Sequence, residues 1–448
     1  MDADIVETTL QDVRQALDER DITRAVRLLH GLLPPDQADV FEELELDEQR
    51  VLLPRLRLPE AADILEELED EYAALLARRL SPAALARIVD QMEPDEAADL
   101  LGDLDAALST AVLARMEEAD EVRPLLVHPD ESAGGRMTTE FLAFRESMTV
   151  RQALLAMRRT EDHILEVPRL FVADTEGRLV GAVDLYALLR ADASTTLGDL
   201  MDREIATVHP EDDQEIAARL MLHYDLPVVP VVDAEGCLVG VITGDDLVEV
   251  LEEEATEDIQ RIGGSEPLGA SYLGSSIWSA IRARLGWLVL LLVTTALAGT
   301  IMSLYEEQLQ EVIILAFFIP MLMDAGGNAG SQTIANVIRA LAVGDITLGD
   351  ALKVLARESR AGLVLGLVLG ICAYVIALVW SPGLVALTVG LSVGAVITWA
   401  NLLGAVLPLF AVRIGQDPAL VSGPLLTTII DVTGLLIYFT IARLVLGI

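Results

Sequence analysis

The chain is short of the residues that most enzymes and metalloproteins use. It has two cysteines, Cys237 and Cys372, in 448 residues, which offer neither a disulfide framework nor a thiolate metal spacing. Its five histidines (30, 128, 163, 209 and 223) form no HExxH or related spacing, and no GxSxG or Walker A sequence occurs. These absences argue against an enzyme. Basic residues are scarce too: 31 Lys+Arg stand against 71 Asp+Glu, a formal net charge of −40. Such a polyanion repels nucleic acid and attracts counter-cations, divalent ones where carboxylates cluster; solubility is the plainer explanation. The opening MDADIVETTL lacks the basic and apolar parts of a secretion signal, so the acidic half is expected to stay in the cytosol.

The charge is unevenly spread. Residues 276–448 carry nine acids and eight bases, net −1, which leaves −39 for residues 1–275. That split explains how a mean hydropathy of +0.45 coexists with so many acids. Five apolar stretches reach the roughly 20 residues that cross hydrocarbon: Leu285 to Tyr305, Val312 to Val343, Ala361 to Ser381, Leu384 to Val412 and Leu420 to Gly447. Arg282, Arg284, Arg339, Lys353, Arg357, Arg360 and Arg413 all fall on one side of such a five-span chain, and Arg443 alone dissents. The positive-inside rule then predicts a cell-membrane, multi-pass protein in contact with lipid, with its N-terminus cytoplasmic and its C-terminus outside.

Polar groups inside the spans are costly and therefore informative. Asp431 lies well within PLLTTIIDVTGLL, with Thr427 one turn and Gly423 two turns before it on the same face. The carboxyl either meets a cation or water, or is protonated and bonded to a neighbouring helix. In MLMDAGGNAGSQT, Asn328 and Gln332 are four apart among glycines, with Asp324 a turn earlier. Their amides suit the water shell of an ion, or equally a partner helix packed through small residues.

Residues 1–127 show helical spacing throughout, with a recurring start: PDQADVFEEL from Pro35, PEAADILEEL from Pro59, PAALARIVDQM from Pro82 and PDEAADLLGDL from Pro94. Proline followed by acids is a helix-start signal, and its repetition predicts a small stack of helix pairs. A second repeat aligns PRLFVADTEGRLVGAV from Pro168 with PVVPVVDAEGCLVGVI from Pro227. Each copy reads as strand, Asp-x-Glu-Gly turn, strand and helix, a pair of α/β modules. Beyond it, EVLEEEATEDIQRIGG is a helix dense in acids, either a solvated linker or a surface whose self-repulsion divalent ions relieve.

The doubled VxD-x-EG-x-LVG pattern resembles a tandem of CBS domains. Such pairs often bind adenosine nucleotides through Gly-x-x-Thr/Ser-x-x-Asp, which Gly240, Thr243 and Asp246 match; the first copy departs, with Ala187 at the acidic position. With PDESAGGRMTTEF, EEEATEDI, GGNAGSQ and DPALVSGPLLTTIIDVTG in order along the chain, the whole resembles the bacterial MgtE family of magnesium channels or transporters. The resemblance implies a homodimer with its pore between the membrane halves, Asp431 as principal ion-site acid, and Thr427, Gly423, Asn328 and Gln332 on the pore face. It further implies that cytosolic Mg²⁺ closes the pore by bridging acidic surfaces. The positions carried over are Asp95 and Asp99, Glu215, Asp225 and Asp246, then Glu254, Glu257 and Asp258, with Asp417 at the cytosolic mouth.

The expected architecture is multidomain: an acidic helical-repeat N-domain (1–130), tandem α/β CBS domains (131–250), an acidic connecting helix (251–275) and an all-α membrane domain of five transmembrane helices (276–448). The expected cargo and regulator is Mg²⁺, with ATP as a further ligand of the CBS pair. Two other functions fit the same residues: a channel for Co²⁺ or Mn²⁺, which oxygen ligands do not exclude, and a nucleotide-controlled membrane regulator. An intramembrane Asp and amide pair argue against the second, since a passive anchor has no use for them.

Overall fold

A computed structural model of the chain describes residues 3–159, 169–267, 276–420 and 423–447. His163, the opening Pro168 of the first α/β repeat, and Val421 and Ser422 lie outside the described residues. Described residues up to Glu252 form one compact unit and those from Glu253 onward a second.

The first unit opens with short helices that start where the prolines put them. Pro34, Pro59, Pro82 and Pro94 occupy the first or second position of helices Pro34–Glu42, Leu58–Glu66, Pro82–Val89 and Pro94–Gly102, where a missing N–H costs nothing. Each of these helices packs on the next but one in the chain, the arrangement expected of stacked helix pairs. Phe41, Leu52, Ile64, Leu85 and Leu101 fill the core between them, and that core continues into the second α/β module through Met137, Val229, Ile242 and Leu247.

The α/β modules are built as the repeat suggests. In the first, β1 (Ala143–Arg145) runs parallel to β2 (Arg169–Ala173), and β2 pairs antiparallel with β3 (Leu179–Asp184). In the second, β4 (Val228–Val232) pairs antiparallel with β5 (Leu238–Thr243). The registers correspond: Val172 faces Gly181 as Val231 faces Gly240. Both hairpins turn on an Asp side chain. Asp174 accepts from Glu176 N and Arg178 N, Asp233 from Glu235 N and Cys237 N. Gly177 and Gly236 follow with φ of +88° and +84°, a region only glycine enters freely. The junction motif belongs structurally to the second module. Thr138 bridges Val241, and a Cβ on Gly240 would lie 2.6 Å from Met137 Sδ.

Among the described residues, five helices are long and apolar enough to cross a membrane: Ile277–Leu304, Ile313–Ala342, Leu348–Ala377, Gly383–Arg413 and Gly423–Leu446, the first to fifth spans below. The first and third start earlier than their apolar stretches, so Arg282, Arg284, Lys353, Arg357 and Arg360 sit on helix; helix formation continues past the point where apolar composition ends. Third and fourth spans touch backbone to backbone. A Cβ at Gly366 would be 2.4 Å from Gly394 O and one at Gly370 2.7 Å from Gly390 O. Two buried polar groups here are paired across helices: Thr333 Oγ1 donates to Asn401 Oδ1 at 2.6 Å, and Tyr438 OH to Leu315 O at 2.9 Å.

Candidate functional site

In the first unit, helix Pro94–Gly102 is pinned at its start by Glu66, whose carboxylate accepts from Glu93 N at 2.8 Å. Its first turn carries Asp95 and Glu96, favoured there by the helix dipole, and Asp99 follows one turn on. The acidic helix, Gly244–Ile262, opens directly after β5 with Asp245 and Asp246 in its first turn. Asp95, Glu96, Asp99, Asp246 and Glu249 line one small cavity with a single cation, Arg136, whose Nε donates to Gln214 Oε1 at 3.0 Å.

Five carboxyls against one guanidinium make this cavity electrostatically unfavourable when the acids are ionised. Asp95 is 5% exposed, and its Oδ1 is buried with no hydrogen-bond partner among the described residues. Burial, then the neighbouring Asp246 and Glu93, hold its carboxyl well above the usual range. Burial also pushes Asp99 up to about 7, against the pull of Arg136, and Glu96 up to about 10 with Asp95 and Asp99 adding to it. Asp246 is raised by burial although Thr243 donates to it, Oγ1 to Oδ2 at 2.5 Å. Among the described residues no three His, Cys, Asp or Glu are arranged to grip a bare metal ion. The all-oxygen set instead suits a hydrated hard cation that keeps most of its waters.

Glu215 and Asp225 do not line this cavity. Glu215 pairs with Arg219 at 2.7 Å, and Asp225 ends helix Gln214–Tyr224 with φ +51° as its left-handed cap. Gly240 is needed for the close approach of Met137, and Thr243 and Asp246 are bonded to each other.

In the second unit, the far half of the acidic helix carries Glu254, Glu257 and Asp258. Glu257 and Asp417 are both ion-paired to Arg261. Asp258 is raised by burial and by Asp417, with Arg261 and Arg339 opposing.

Within the spans, Asp431 is half-buried, and its carboxylate has no hydrogen-bond or ion-pair partner among the described residues. Thr427 lies a turn below, its hydroxyl donating to Pro424 O at 2.8 Å, and Gly423 is buried two turns below. The second span presents Asp324, Asn328, Gln332, Asn336 and Arg339 exposed along one side. Its opposite side is packed: a Cβ at Gly327 would be 3.2 Å from Thr427 Cγ2, and one at Gly330 2.6 Å from Ile430 Cδ1. An amide-rich stripe left outward on an apolar helix cannot face lipid without cost.

Five of these groups escaped sequence reasoning. Glu96 and Glu249 neighbour residues that were legible, but only the fold shows that they share a cavity. Arg136 is the one base within PDESAGGRMTTEF, Arg261 the one base in the acidic helix, and Asn336 continues the four-residue spacing of Asn328 and Gln332; these positions stand out in the sequence, but their partners do not.

Comparison with known proteins returns MgtE profiles at both ends of the chain and CBS domain profiles between them. A profile for the MgtE intracellular N domain matches residues 32–131, CBS domain profiles match 133–194 and 197–253, and the MgtE profile, described as a divalent cation transporter, matches 319–441. The chain is 42% identical over 328 residues to the magnesium transporter MgtE of Thermus thermophilus, covering 73% of this chain and 72% of that one. It is 35% identical over 329 residues to that of Enterococcus faecalis, with the same coverage. Among solved structures, the soluble part of a magnesium transporter matches at 30% identity with a TM-score of 0.51, covering 56% of this chain and 99% of that one. The cytosolic domain of the Mg²⁺ channel MgtE in complex with ATP matches at 33% with a TM-score of 0.52, covering 54% and 99%.

Proposed function

The chain belongs to the MgtE family of divalent cation transporters, and from that premise we propose that it passes Mg²⁺ across the cell membrane and is closed by Mg²⁺ on its cytosolic side. It is a membrane-integral transporter and not an enzyme. The observation that carries the reading is Asp431: a carboxylate inside a membrane helix, half-buried and without a partner among the described residues, beside a helix with an outward stripe of amides. A hydrated Mg²⁺ satisfies both, the acid by charge and the amides through its water shell. Selecting the ion with its waters in place needs no preformed cage.

The stripe also supports a homodimer. Asn328 and Gln332 are exposed on one chain, and a second copy facing them would enclose a polar path in lipid, as the two-fold symmetry common among oligomers allows. The acidic cavity supports the sensor: each Mg²⁺ that screens its carboxylates favours the closed arrangement. Glu254, Glu257, Asp258 and Asp417 extend the same logic to the pore mouth; Glu215, paired with Arg219, and Asp225, at the end of its helix, would act as sensor acids outside the acidic cavity. The arginine distribution supports an N-in, C-out orientation. Nucleotide binding at Gly240, Thr243 and Asp246 would draw on an Asp that the acidic cavity also uses, so ATP and cavity-bound Mg²⁺ are coupled ligands.

Mg²⁺ flux into liposomes holding the purified chain, with Mg²⁺ varied on the cytosolic face, tests the whole reading. Flux should fall as cytosolic-face Mg²⁺ rises, and Asp431→Ala should abolish it while leaving folding and assembly intact. Flux that survives Asp431→Ala would make that Asp structural.

A further inference from the structure

Asp417 and Glu257 already share a cation that belongs to the protein. Arg261 lies one turn after Glu257 on the acidic helix and forks between the two acids: Nη1 donates to Asp417 and Nη2 to Glu257. Its Nε is buried with no acceptor among the described residues, so the terminal nitrogens carry the whole contact. Asp417 is held in place by Ala419 N, which donates to its Oδ1 at 2.7 Å. The end of the helix is seated beside the fifth span. A Cβ at Gly264 would lie 3.0 Å from Pro424 Cγ, and one at Gly423 3.5 Å from Ile262 O. Ile262 packs on the membrane core.

Guanidinium cannot be deprotonated in a protein, so this charge is present at every Mg²⁺ level. Resting on the gating reading above, we infer that Arg261 is a tethered cation that holds the acidic helix against Asp417 when no Mg²⁺ is bound, occupying the place between Glu257 and Asp417 that a bridging Mg²⁺ would otherwise take. The contact is an autoinhibitory latch. It sets a floor of closure that does not depend on the ion, and Mg²⁺ adds to that floor. The side chains of Arg261, Asp417 and Glu257 are 28%, 30% and 19% exposed, so each pair belongs near the upper end of what surface ion pairs contribute.

Mg²⁺ current through the full chain in planar bilayers, with cytosolic-face Mg²⁺ stepped from chelator-buffered zero to saturation, reads this directly. Arg261→Gln should raise the current at zero Mg²⁺ by about two- to five-fold, the equilibrium shift of one such pair, and saturating Mg²⁺ should still close the pore. Asp417→Asn breaks the same contact from the other side and should raise the zero-Mg²⁺ current as well; Arg261→Lys, which keeps the charge but not the fork, should fall between wild type and Arg261→Gln. An Arg261→Gln current equal to wild type at zero Mg²⁺, with closure by Mg²⁺ intact, would overturn the latch and leave the gating reading standing. An Arg261→Lys current as high as that of Arg261→Gln would also overturn it, by showing that the charge at this position contributes nothing to closure. A wild-type pore that no cytosolic Mg²⁺ closes would remove the gating reading itself.

Discussion

Replacing Asp99 with Asn should make the acidic cavity more stable in the absence of Mg²⁺, against the usual direction for a change at a buried polar site. The Asp99 carboxyl is pushed up to about 7, first by burial, with Arg136 opposing and Asp130, Asp70 and Asp103 adding. An unfolded Asp titrates near 4, so the folded unit holds this proton more tightly than the unfolded chain. The stability that follows is fully present below about pH 4 and is lost as pH climbs through about 7. At about 1.4 kcal/mol per unit, the shift amounts to roughly 4 kcal/mol above neutrality; solvent screening of a half-buried group reduces this to about 2 kcal/mol. Asn keeps the shape and removes the titration. All four tryptophans lie at or beyond position 278, so intrinsic fluorescence does not report on this unit, whereas amide hydrogen exchange across Pro94–Gly102 does. In chelator at pH 8 the variant should exchange about 30-fold more slowly than wild type if opening of the cavity limits exchange. The gap should close towards pH 5, and saturating Mg²⁺ should protect wild type more than the variant. A variant no better protected than wild type at pH 8 in chelator, or wild-type protection that does not change between pH 5 and pH 8, would refute the reasoning.

Neutralising Glu254, Glu257 and Asp258 together as Gln, Gln and Asn should leave flux present but raise the Mg²⁺ needed for half-closure by about ten-fold; an unchanged half-closing concentration would remove that helix from the sensor. Replacing Asn328 and Gln332 with Leu should slow Mg²⁺ flux by about ten-fold, since two hydrogen bonds to the ion's waters are lost, and the loss should appear in flux assays without loss of assembly. Gly240→Val should destabilise the soluble unit by about 2–3 kcal/mol in chemical denaturation followed by circular dichroism, because its Cβ would press on Met137 Sδ and Thr138 O.

Much of this was legible because the signals are local. Pro59, Pro82 and Pro94 mark helix starts wherever they stand, and Asp174 and Asp233 specify the same turn twice. Asp431 announces itself because a charge in an apolar span has few uses. The cavity was legible only in part. Asp95 and Asp246 are far apart in sequence, and nothing local shows that Arg136 and Glu249 meet them there. Glu215 and Asp225 have local structural roles as well, which their neighbours made readable: one has Arg219 a turn away, the other closes a helix in a left-handed conformation. Arg261 was hidden by its company, since one base among many acids reads as relief of repulsion until the fold places Asp417 within its reach.

The glycine contacts between the third and fourth spans carry a mechanical consequence. With Gly366 and Gly370 set against the carbonyls of Gly394 and Gly390, neither helix can slide a small distance past the other, because any side chain entering the seam would meet backbone. Sliding by a whole turn would move each carbonyl to the next small residue and interrupt the contact in between. The pair therefore behaves as one stiff strut. The contact between the second and fifth spans runs instead through side chains, Thr427 and Ile430 over Gly327 and Gly330, so under the gating proposed above the movement falls there.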